Sequence, residues 1–348
     1  MRRVPTAALV SFRLGGGDGV SIEAAKWAAA LGSLGWRVVT VAGAGPVDTR
    51  LEGLAMAAAA PPTRRELSDA LAPADLVVVE NLCSLPLNPA AAALVAEVCA
   101  GRPTVLHHHD LAWQRPHLAH LPAPPDDRAW SHVTINELSR HELRPHGIAA
   151  TTIYNSFDPN PAAGKRERVR QALGLAAGDR LLLQPTRALA RKNIEGGMAL
   201  AAAVGGTYWL LGPAEDGYGP DLSRLVAAAD CPVLLGPGPG TCSVADAYAS
   251  CDAVLLPSHW EGFGNPSVES ATYRRPLAIG RYPVASELSA FGFRWFDSAV
   301  PAPLSEWLEL PDHELLDHNQ RIAATFFNVA DLPARLARVL DTLPGARR

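Results

Sequence analysis

Residues 252–270 read DAVLLPSHWEGFGNPSVES and join a short apolar run to a glycine-containing loop and the start of a helix. The apolar run 252–257 is typical of a buried strand. Asn265 is a favourable N-cap and Pro266 a favourable first helical residue, so we expect the helix to begin there. The loop therefore follows the carboxyl end of a strand, which is the edge where open α/β sheets bind their ligands.

Similar apolar runs recur along the chain and alternate with Ala-rich helical stretches, as a parallel sheet buried on both faces requires. They form two series, residues 6–12, 36–43, 75–79 and 103–106, then 180–185, 207–212, 232–236 and 252–257. Because the polar segment 155–168 separates the series, we predict two doubly wound Rossmann-like α/β domains facing each other across a cleft. The predicted domains are residues 1–157 and 158–348, with a helical segment at 312–340 packing back on the first domain.

Composition and charge exclude several classes of protein. The net charge is only −4 and the basic residues are scattered, so no nucleic-acid surface is expected. The five cysteines lie far apart and form no C-x-x-C pair, which favours reduced thiols and a cytoplasmic location. No uninterrupted apolar stretch approaches 18 residues, so no membrane-spanning helix is expected. Peripheral membrane contact and the oligomeric state stay open.

The opening stretch also predicts an anion site. The first backbone N–H groups of the helix, those of Ser267, Val268 and Glu269, are expected to point at open space. Glu261 in the loop and Glu269 in the helix can accept hydrogen bonds from hydroxyls on either side of an anion. A sugar nucleotide has phosphates between two polyols and fits this arrangement. The alternative for Glu269 is an acid that only stabilises the helix dipole.

A second candidate site follows the first strand of the second series, in 185-PTRALARKNIEGG-197. Arg187 and Lys192 flank a loop that leads into a helix, so two cations can reach a diphosphate without a large basic patch. Arg191 is as readily explained as a solvated side chain. An isolated pair of this kind is usually a surface feature. Because this loop and the loop of Glu261 are expected at the same edge of the sheet, a binding role for the pair is favoured.

LPSHWEGFGNPSVES resembles the E-x7-E segment of retaining glycosyltransferases of family 4. The Arg/Lys loop, the approach DAYASCDAVLLPS, the glycine cluster after the first strand and the turn 154-YNSFD-158 match that family in order and spacing over nearly the whole chain. Ser156 and Ser270 depart from the residues usual there and put only local turn geometry in doubt. The N-terminal half resembles the bacterial GDP-mannose-dependent mannosyltransferases of the family.

The resemblance implies a GT-B fold, with the donor on the C-terminal half, the acceptor on the N-terminal half and no metal or other cofactor. It implies that Glu261 contacts the donor sugar, Glu269 the ribose, and Arg187 and Lys192 the diphosphate. The further donor-site residues that it implies are Gly264, Asn265 and Pro266 near the sugar and phosphates, and Gly16 and Gly17 in the N-terminal loop. Base selection is expected around 234-LLGPGPG-240, which includes Leu235.

The stretch 105-VLHHHDLAWQ-114 places three histidines and an aspartate after an apolar run. Strand alternation puts His107 and His109 on one face. Because adjacent histidines cannot converge on one ion and no distant ligand is evident, a polar role is favoured over a metal site. The resemblance implies a histidine beside the donor sugar, with His109 the first choice and His107 the second.

The acceptor is expected on the N-terminal half. Its candidate contacts are Asn81, His107 and Asp110. Asn81 and Asn88 could equally form hydrogen bonds with backbone groups of the surrounding loops.

The resulting hypothesis is a retaining hexosyltransferase that moves mannose from GDP-mannose to a hydroxyl of a saccharide or glycoside. Its candidate catalytic residues are His109, Glu261, Arg187 and Lys192. The alternatives are a UDP-glucose-dependent glucosyltransferase, a non-catalytic sugar-nucleotide-binding module, and an epimerase or phosphorylase. A dinucleotide-dependent dehydrogenase is disfavoured because the third glycine of G-x-G-x-x-G would fall at Val20.

Overall fold

The computed structural model describes residues 3–237 and 242–345. The chain divides into two compact units. Unit 1 ends at Ser156 and also takes in the segment that begins at Val329, whereas unit 2 comprises Phe157–Asn328. The division after Ser156 lies one residue before the expected boundary after residue 157. All five cysteines are free thiols.

Unit 1 is built on a seven-stranded parallel sheet in the order β3-β2-β1-β4-β5-β6-β7. Its strands are β1 (Thr6–Arg13), β2 (Arg37–Ala44), β3 (Thr49–Arg50), β4 (Leu76–Glu80), β5 (Thr104–His108), β6 (Trp130–Thr134) and β7 (Ala150–Thr152). Its α-helices are α1 (Gly19–Ser33), α2 (Arg64–Leu71), α3 (Pro89–Cys99), α4 (Glu137–Leu143) and α13 (Leu332–Thr342). Separate apolar clusters pack on the sheet, and one of them joins α1 to α13.

Unit 2 is built on a six-stranded parallel sheet in the order β10-β9-β8-β11-β12-β13. Its strands are β8 (Arg180–Gln184), β9 (Gly206–Leu210), β10 (Val233–Leu235), β11 (Ala253–Leu256), β12 (Leu277–Ile279) and β13 (Phe296–Asp297). Its α-helices are α5 (Arg166–Ala172), α6 (Ile194–Ala203), α7 (Gly219–Ala227), α8 (Val244–Ser250), α9 (Pro266–Thr272), α10 (Pro283–Ser289), α11 (Pro301–Glu309) and α12 (His313–Phe326).

Each predicted apolar run forms a strand, because a continuous apolar stretch suits a parallel strand covered on both faces. The strands that the sequence did not indicate are the short or less apolar β3, β6, β7, β12 and β13. The helical segment expected at 312–340 is two helices, α12 in unit 2 and α13 in unit 1, separated by a short 3-10 turn at Val329–Asp331.

The strand order places a ligand edge in each unit. In unit 1 the order reverses between β1 and β4, and in unit 2 it reverses between β8 and β11. At such a reversal the connections leave to opposite sides of the sheet and open a crevice at the carboxyl ends of the strands.

Within residues 3–237 and 242–345, none of the helices has both the length and the hydropathy that a membrane crossing needs.

Candidate functional site

In unit 2 the residues at this reversal form a charged cluster that we call the Lys192–Glu261 cluster. It consists of Arg191, Lys192, Ser258 and Glu261. Lys192 ends a 3-10 turn after β8, and Ser258 and Glu261 lie in the loop after β11. Because β8 and β11 are neighbours in the sheet, the two loops emerge side by side.

The carboxylate of Glu261 is the centre of the Lys192–Glu261 cluster. Lys192 Nζ lies 2.6 Å from each of its two oxygens, Arg191 Nη1 donates to one at 2.9 Å, and Ser258 Oγ donates to the other at 2.6 Å. Glu261 is 4% exposed and Lys192 8% exposed. Arg191 is thus partly exposed and pairs with Glu261 rather than being only a solvated side chain. Glu261 has structural partners, and its contact with a donor sugar stays a prediction.

Burial and charge act in opposite directions on this pair. Burial raises the pKa of Glu261, but Lys192 and Arg191 outweigh it and leave that pKa below its ordinary value. Burial lowers the pKa of Lys192. The negative charge of Glu261 raises that pKa again, but not back to its ordinary value. With Glu261 ionised, the two cations around it leave a net positive charge, which suits an anionic ligand.

Arg187, the other predicted diphosphate contact, lies close enough to Lys192 to contribute to the lowering of its pKa. Its guanidinium forms an ion pair with Glu215, and both side chains are about one-third exposed. The structure thus brings Arg187 and Lys192 together at one edge of the sheet, as the sequence predicts. Their binding of a diphosphate stays a prediction.

Helix α9 begins at Pro266 as expected, but its first N–H groups are already in use. Ser267 N donates to Gly264 O at 2.8 Å, and the amides of Val268 and Glu269 donate to Asn265 O at 3.0 and 2.9 Å. Asn265 has helical dihedrals, and its side chain makes no capping bond to the helix. The backbone thus turns tightly into the helix, and the predicted anion site on these three amides is wrong.

Glu269 lies half-buried in the first turn of α9 and accepts a hydrogen bond from Tyr248 Oη at 2.7 Å. Tyr248 stacks on Tyr273 with ring centroids 4.6 Å apart. A side-chain partner of this kind goes beyond the helix-dipole role, and an ionised carboxylate can accept further bonds. Contact of Glu269 with a ribose stays a prediction.

Gly264 is the position in the loop where the backbone needs glycine. Its φ is +84°, and a Cβ there would lie 2.4 Å from Tyr282 Oη.

The stretch predicted to select the base, residues 234–240, is described only in part. Leu235 ends β10 and is half exposed, while residues 238–240 lie outside the described residues.

Unit 1 carries a second cluster, which we call the Glu80 cluster: Glu80, His107 and His109. Glu80 ends β4, and the histidines lie at the end of the neighbouring strand β5. His107 Nδ1 and His109 Nε2 lie 2.7 and 2.9 Å from the same carboxylate oxygen, Glu80 Oε2. The prediction that His107 and His109 share a face is confirmed.

The sequence interpretation missed Glu80 and so wrongly found no distant partner for the histidines. The three residues offer ligand atoms within 4.8 Å of one another and could hold a metal ion. Although burial raises the pKa of Glu80, the histidines lower it to about 2, and burial lowers the pKa of His107. An ionised carboxylate that accepts two ring N–H bonds accounts for the contacts of Glu80 Oε2, whereas Glu80 Oε1 is buried without a hydrogen-bond partner among the described residues.

Asn81 follows Glu80 in a left-handed conformation, with φ 59°. Its Oδ1 accepts the backbone N–H groups of His109 and Asp110, each at 3.0 Å. Asn88 caps α3 and donates to the carbonyls of Gly53 and Ala55. Both asparagines therefore satisfy loop backbone, and contact of Asn81 with an acceptor stays a prediction.

The remaining predicted residues of unit 1 lie at the same sheet edge. Asp110 forms an ion pair with Arg115 at 3.3 Å. Gly16 and Gly17 are exposed in the loop between β1 and α1, and apart from its chain neighbours none of the described residues lies within 4 Å of the Cβ position of Gly17. Sequence reasoning missed the buried Glu23 of α1, whose pKa is raised by burial.

Comparison with known proteins identifies the architecture. Anabaena HepE in complex with UDP-glucose aligns over 97% of this chain and 100% of its own, with a TM-score of 0.75 and 19% identity. WaaG, a glycosyltransferase involved in lipopolysaccharide biosynthesis, aligns over 97% of this chain and 100% of its own, with a TM-score of 0.65 and 14% identity. The chain has the GT-B fold. The predicted fold class is confirmed.

Sequence comparison finds relatives of low identity. The mannosylglucosylglycerate synthase of Petrotoga mobilis is 25% identical over 319 residues, which cover 77% of this chain and 74% of that protein. The same enzyme of Thermotoga maritima is 27% identical over 270 residues, covering 66% of this chain and 62% of that protein. No family model matches the chain.

Proposed function

We propose that this protein is a retaining glycosyltransferase that moves a hexose, mannose from GDP-mannose, to a hydroxyl of a saccharide or glycoside acceptor. The observation that carries the proposal is the Lys192–Glu261 cluster at the strand-order reversal of unit 2. The similarity to two mannosylglucosylglycerate synthases favours mannose as the transferred sugar.

The cluster matches the chemistry of a nucleotide-sugar donor. Transfer breaks the bond between the anomeric carbon and the diphosphate, so negative charge develops on the departing diphosphate. Lys192 has three N–H donors, and its two contacts with Glu261 leave one for a phosphate oxygen. Together with Arg187, it would stabilise the charge of the leaving group in a preorganised site.

Glu261 would hold the sugar. Its two oxygens offer about four lone-pair sites. The donors Lys192, Arg191 and Ser258 already make four hydrogen bonds to them. A sugar hydroxyl would therefore replace one of these donors. His109 is proposed to act at the reacting centre.

A UDP-glucose-dependent glucosyltransferase is the second candidate. The observation that favours it is the structural similarity to HepE, which was solved with UDP-glucose. Mannose and glucose differ only at C2, so Glu261 suits either hexose.

Calorimetric titration of GDP and UDP, followed by turnover of GDP-mannose and UDP-glucose with saccharide and glycoside acceptors, tests the proposal. We expect tighter GDP binding, GDP-mannose turnover and a product that keeps the anomeric configuration of the donor. Tighter UDP binding with UDP-glucose turnover would favour the second candidate. Failure to bind or turn over either donor would refute both.

A variant pair tests the role assigned to Lys192. Lys192→Ala should lower turnover by roughly 10²–10³-fold, the scale for loss of one preorganised charge-stabilising donor. The matched control is Lys165→Ala, which removes an exposed lysine at the start of α5 in the same unit and should retain turnover. Equal turnover of the two folded variants would contradict the assignment.

A further inference from the structure

Glu80 is a buried carboxylate whose side chain contacts two histidines through one oxygen. It ends β4, which borders the strand-order reversal of unit 1, and it is fully buried. Both His107 Nδ1 and His109 Nε2 lie within hydrogen-bond distance of Glu80 Oε2. A carboxylate can only accept, and one oxygen lies within hydrogen-bond distance of both ring nitrogens, so both ring nitrogens donate to it.

This arrangement determines which nitrogen of each histidine carries the proton. His109 donates through Nε2–H, so the neutral ring has its lone pair on Nδ1. His107 donates through Nδ1–H, and its Nε2 is buried without a hydrogen-bond partner among the described residues. Trp27 stacks on the His107 ring at a centroid distance of 4.0 Å. His107 is thus enclosed, and His109 is the histidine that can offer a lone pair.

The backbone of His109 is held by the neighbouring residue. Asn81 Oδ1 accepts the N–H groups of His109 and Asp110, and the left-handed φ of Asn81 turns its side chain toward the end of β5. Two consecutive residues at the end of β4 therefore fix the ring and the backbone of His109. Preorganisation of this kind is what a group acting at a reacting centre requires.

The distances between these atoms are those of hydrogen bonds rather than of ligands around a metal ion. Zinc bonds of 2.0–2.2 Å hold tetrahedral ligand atoms about 3.4 Å apart. The observed separations of 2.7 and 2.9 Å are those of N–H···O hydrogen bonds.

We propose that Glu80 is a positioning residue for His109: it holds the ring as the Nε2–H tautomer, so that Nδ1 is the atom presented to a substrate hydroxyl. The role of His109 toward substrate rests on the proposed function, whereas the tautomer does not. Glu80 itself would touch no substrate and would act through His109.

The first test reads the tautomer directly and needs no substrate. Nitrogen-15 NMR of the full chain at pH 8, with the His109 signals assigned from their loss in His109→Asn, should show the Nε2–H form. Glu80→Gln should convert it to a mixture of tautomers. The matched control is Glu23→Gln, which removes another buried carboxylate close to His109. Glu23 acts on His109 only through its charge and not through a hydrogen bond to the ring, so this variant should leave the His109 tautomer unchanged.

An Nδ1–H tautomer in the unaltered protein, or an unchanged tautomer in Glu80→Gln, would overturn the proposal. Stoichiometric metal in the purified protein would also overturn it, because an ion would then replace the two ring protons. These outcomes hold whether or not any donor is turned over, so they are distinguishable from failure of the proposed function.

The second test measures whether Glu80 acts through His109. Glu80→Gln should lower kcat by up to roughly 10²-fold, the cost of a small misplacement at a reacting centre, with little change in the donor KM. In a double-mutant cycle, adding Glu80→Gln to His109→Asn should lower kcat no further. Multiplicative losses in the double variant would indicate an independent structural role and would contradict the proposal.

Discussion

Glu261→Gln should destabilise the protein, because it removes the only charge that compensates two cations in the Lys192–Glu261 cluster. The Glu261 and Lys192 side chains are 6% and 10% exposed, so solvent screens their interaction little. Removing one partner of a buried ion pair typically costs 3–5 kcal/mol. Arg191 is 30% exposed and Lys192 can lose its proton, so we expect a value near the lower end, about 3 kcal/mol.

Urea unfolding measures this change. The midpoint concentration should fall while the m-value stays constant, because the surface exposed on unfolding is unchanged. For a unit of this size, about 3 kcal/mol corresponds to a Tm lower by roughly 6–12 °C. The matched control is Asp317→Asn in the same unit, whose ion pair with Arg274 is exposed on both sides and should contribute less than about 1 kcal/mol.

A double variant separates loss of charge compensation from loss of packing. Adding Lys192→Met to Glu261→Gln removes the buried cation that the first change leaves unpaired, so much of the lost stability should return. A Glu261→Gln midpoint equal to that of Asp317→Asn would refute the reasoning. No recovery in the double variant would show that charge compensation is not the cause of the loss.

Two further predictions concern the loop glycine and the buried histidines. Gly264→Ala should lower the free energy of unfolding by about 1–3 kcal/mol, because the backbone φ there is positive and the new methyl group would collide with Tyr282 Oη. Gly178→Ala is the control, because its methyl group would enter open space, and it should be neutral or stabilising. Equal urea midpoints for the two variants would contradict this prediction. Burial lowers the pKa of His107, His108 and His132, so below about pH 6.5 these histidines bind more protons in the unfolded protein than in the folded protein. The free energy of unfolding should therefore fall as the pH is lowered from 7.5 to 5.5, by up to about 1.4 kcal/mol per pH unit for each such proton. The raised pKa of Glu23 acts in the opposite direction, and His108→Phe should reduce the measured difference; an identical pH dependence in that variant would rule out His108 as a source.

Local sequence predicts the strands and the site loops well. Runs such as 75–79 and 252–257 form strands because a continuous apolar segment of that length is stable only when covered on both faces of a sheet. Helix α9 begins at Pro266 because proline suits the first helical position. The amides of its first turn were misjudged, because their availability depends on the dihedrals of Asn265 and on the carbonyl of Gly264.

The sequence by itself determined the parallel α/β class and the loops that carry the candidate site, because apolar periodicity and turn chemistry are local properties of the chain. Only the tertiary structure decided the partners. Glu261 meets Lys192 across 69 positions, and Glu80 meets His107 and His109 across 27 and 29 positions. The physical reason is that crossover connections bring the carboxyl ends of parallel strands to one edge, and strand order, which no local pattern encodes, decides which loops are neighbours there.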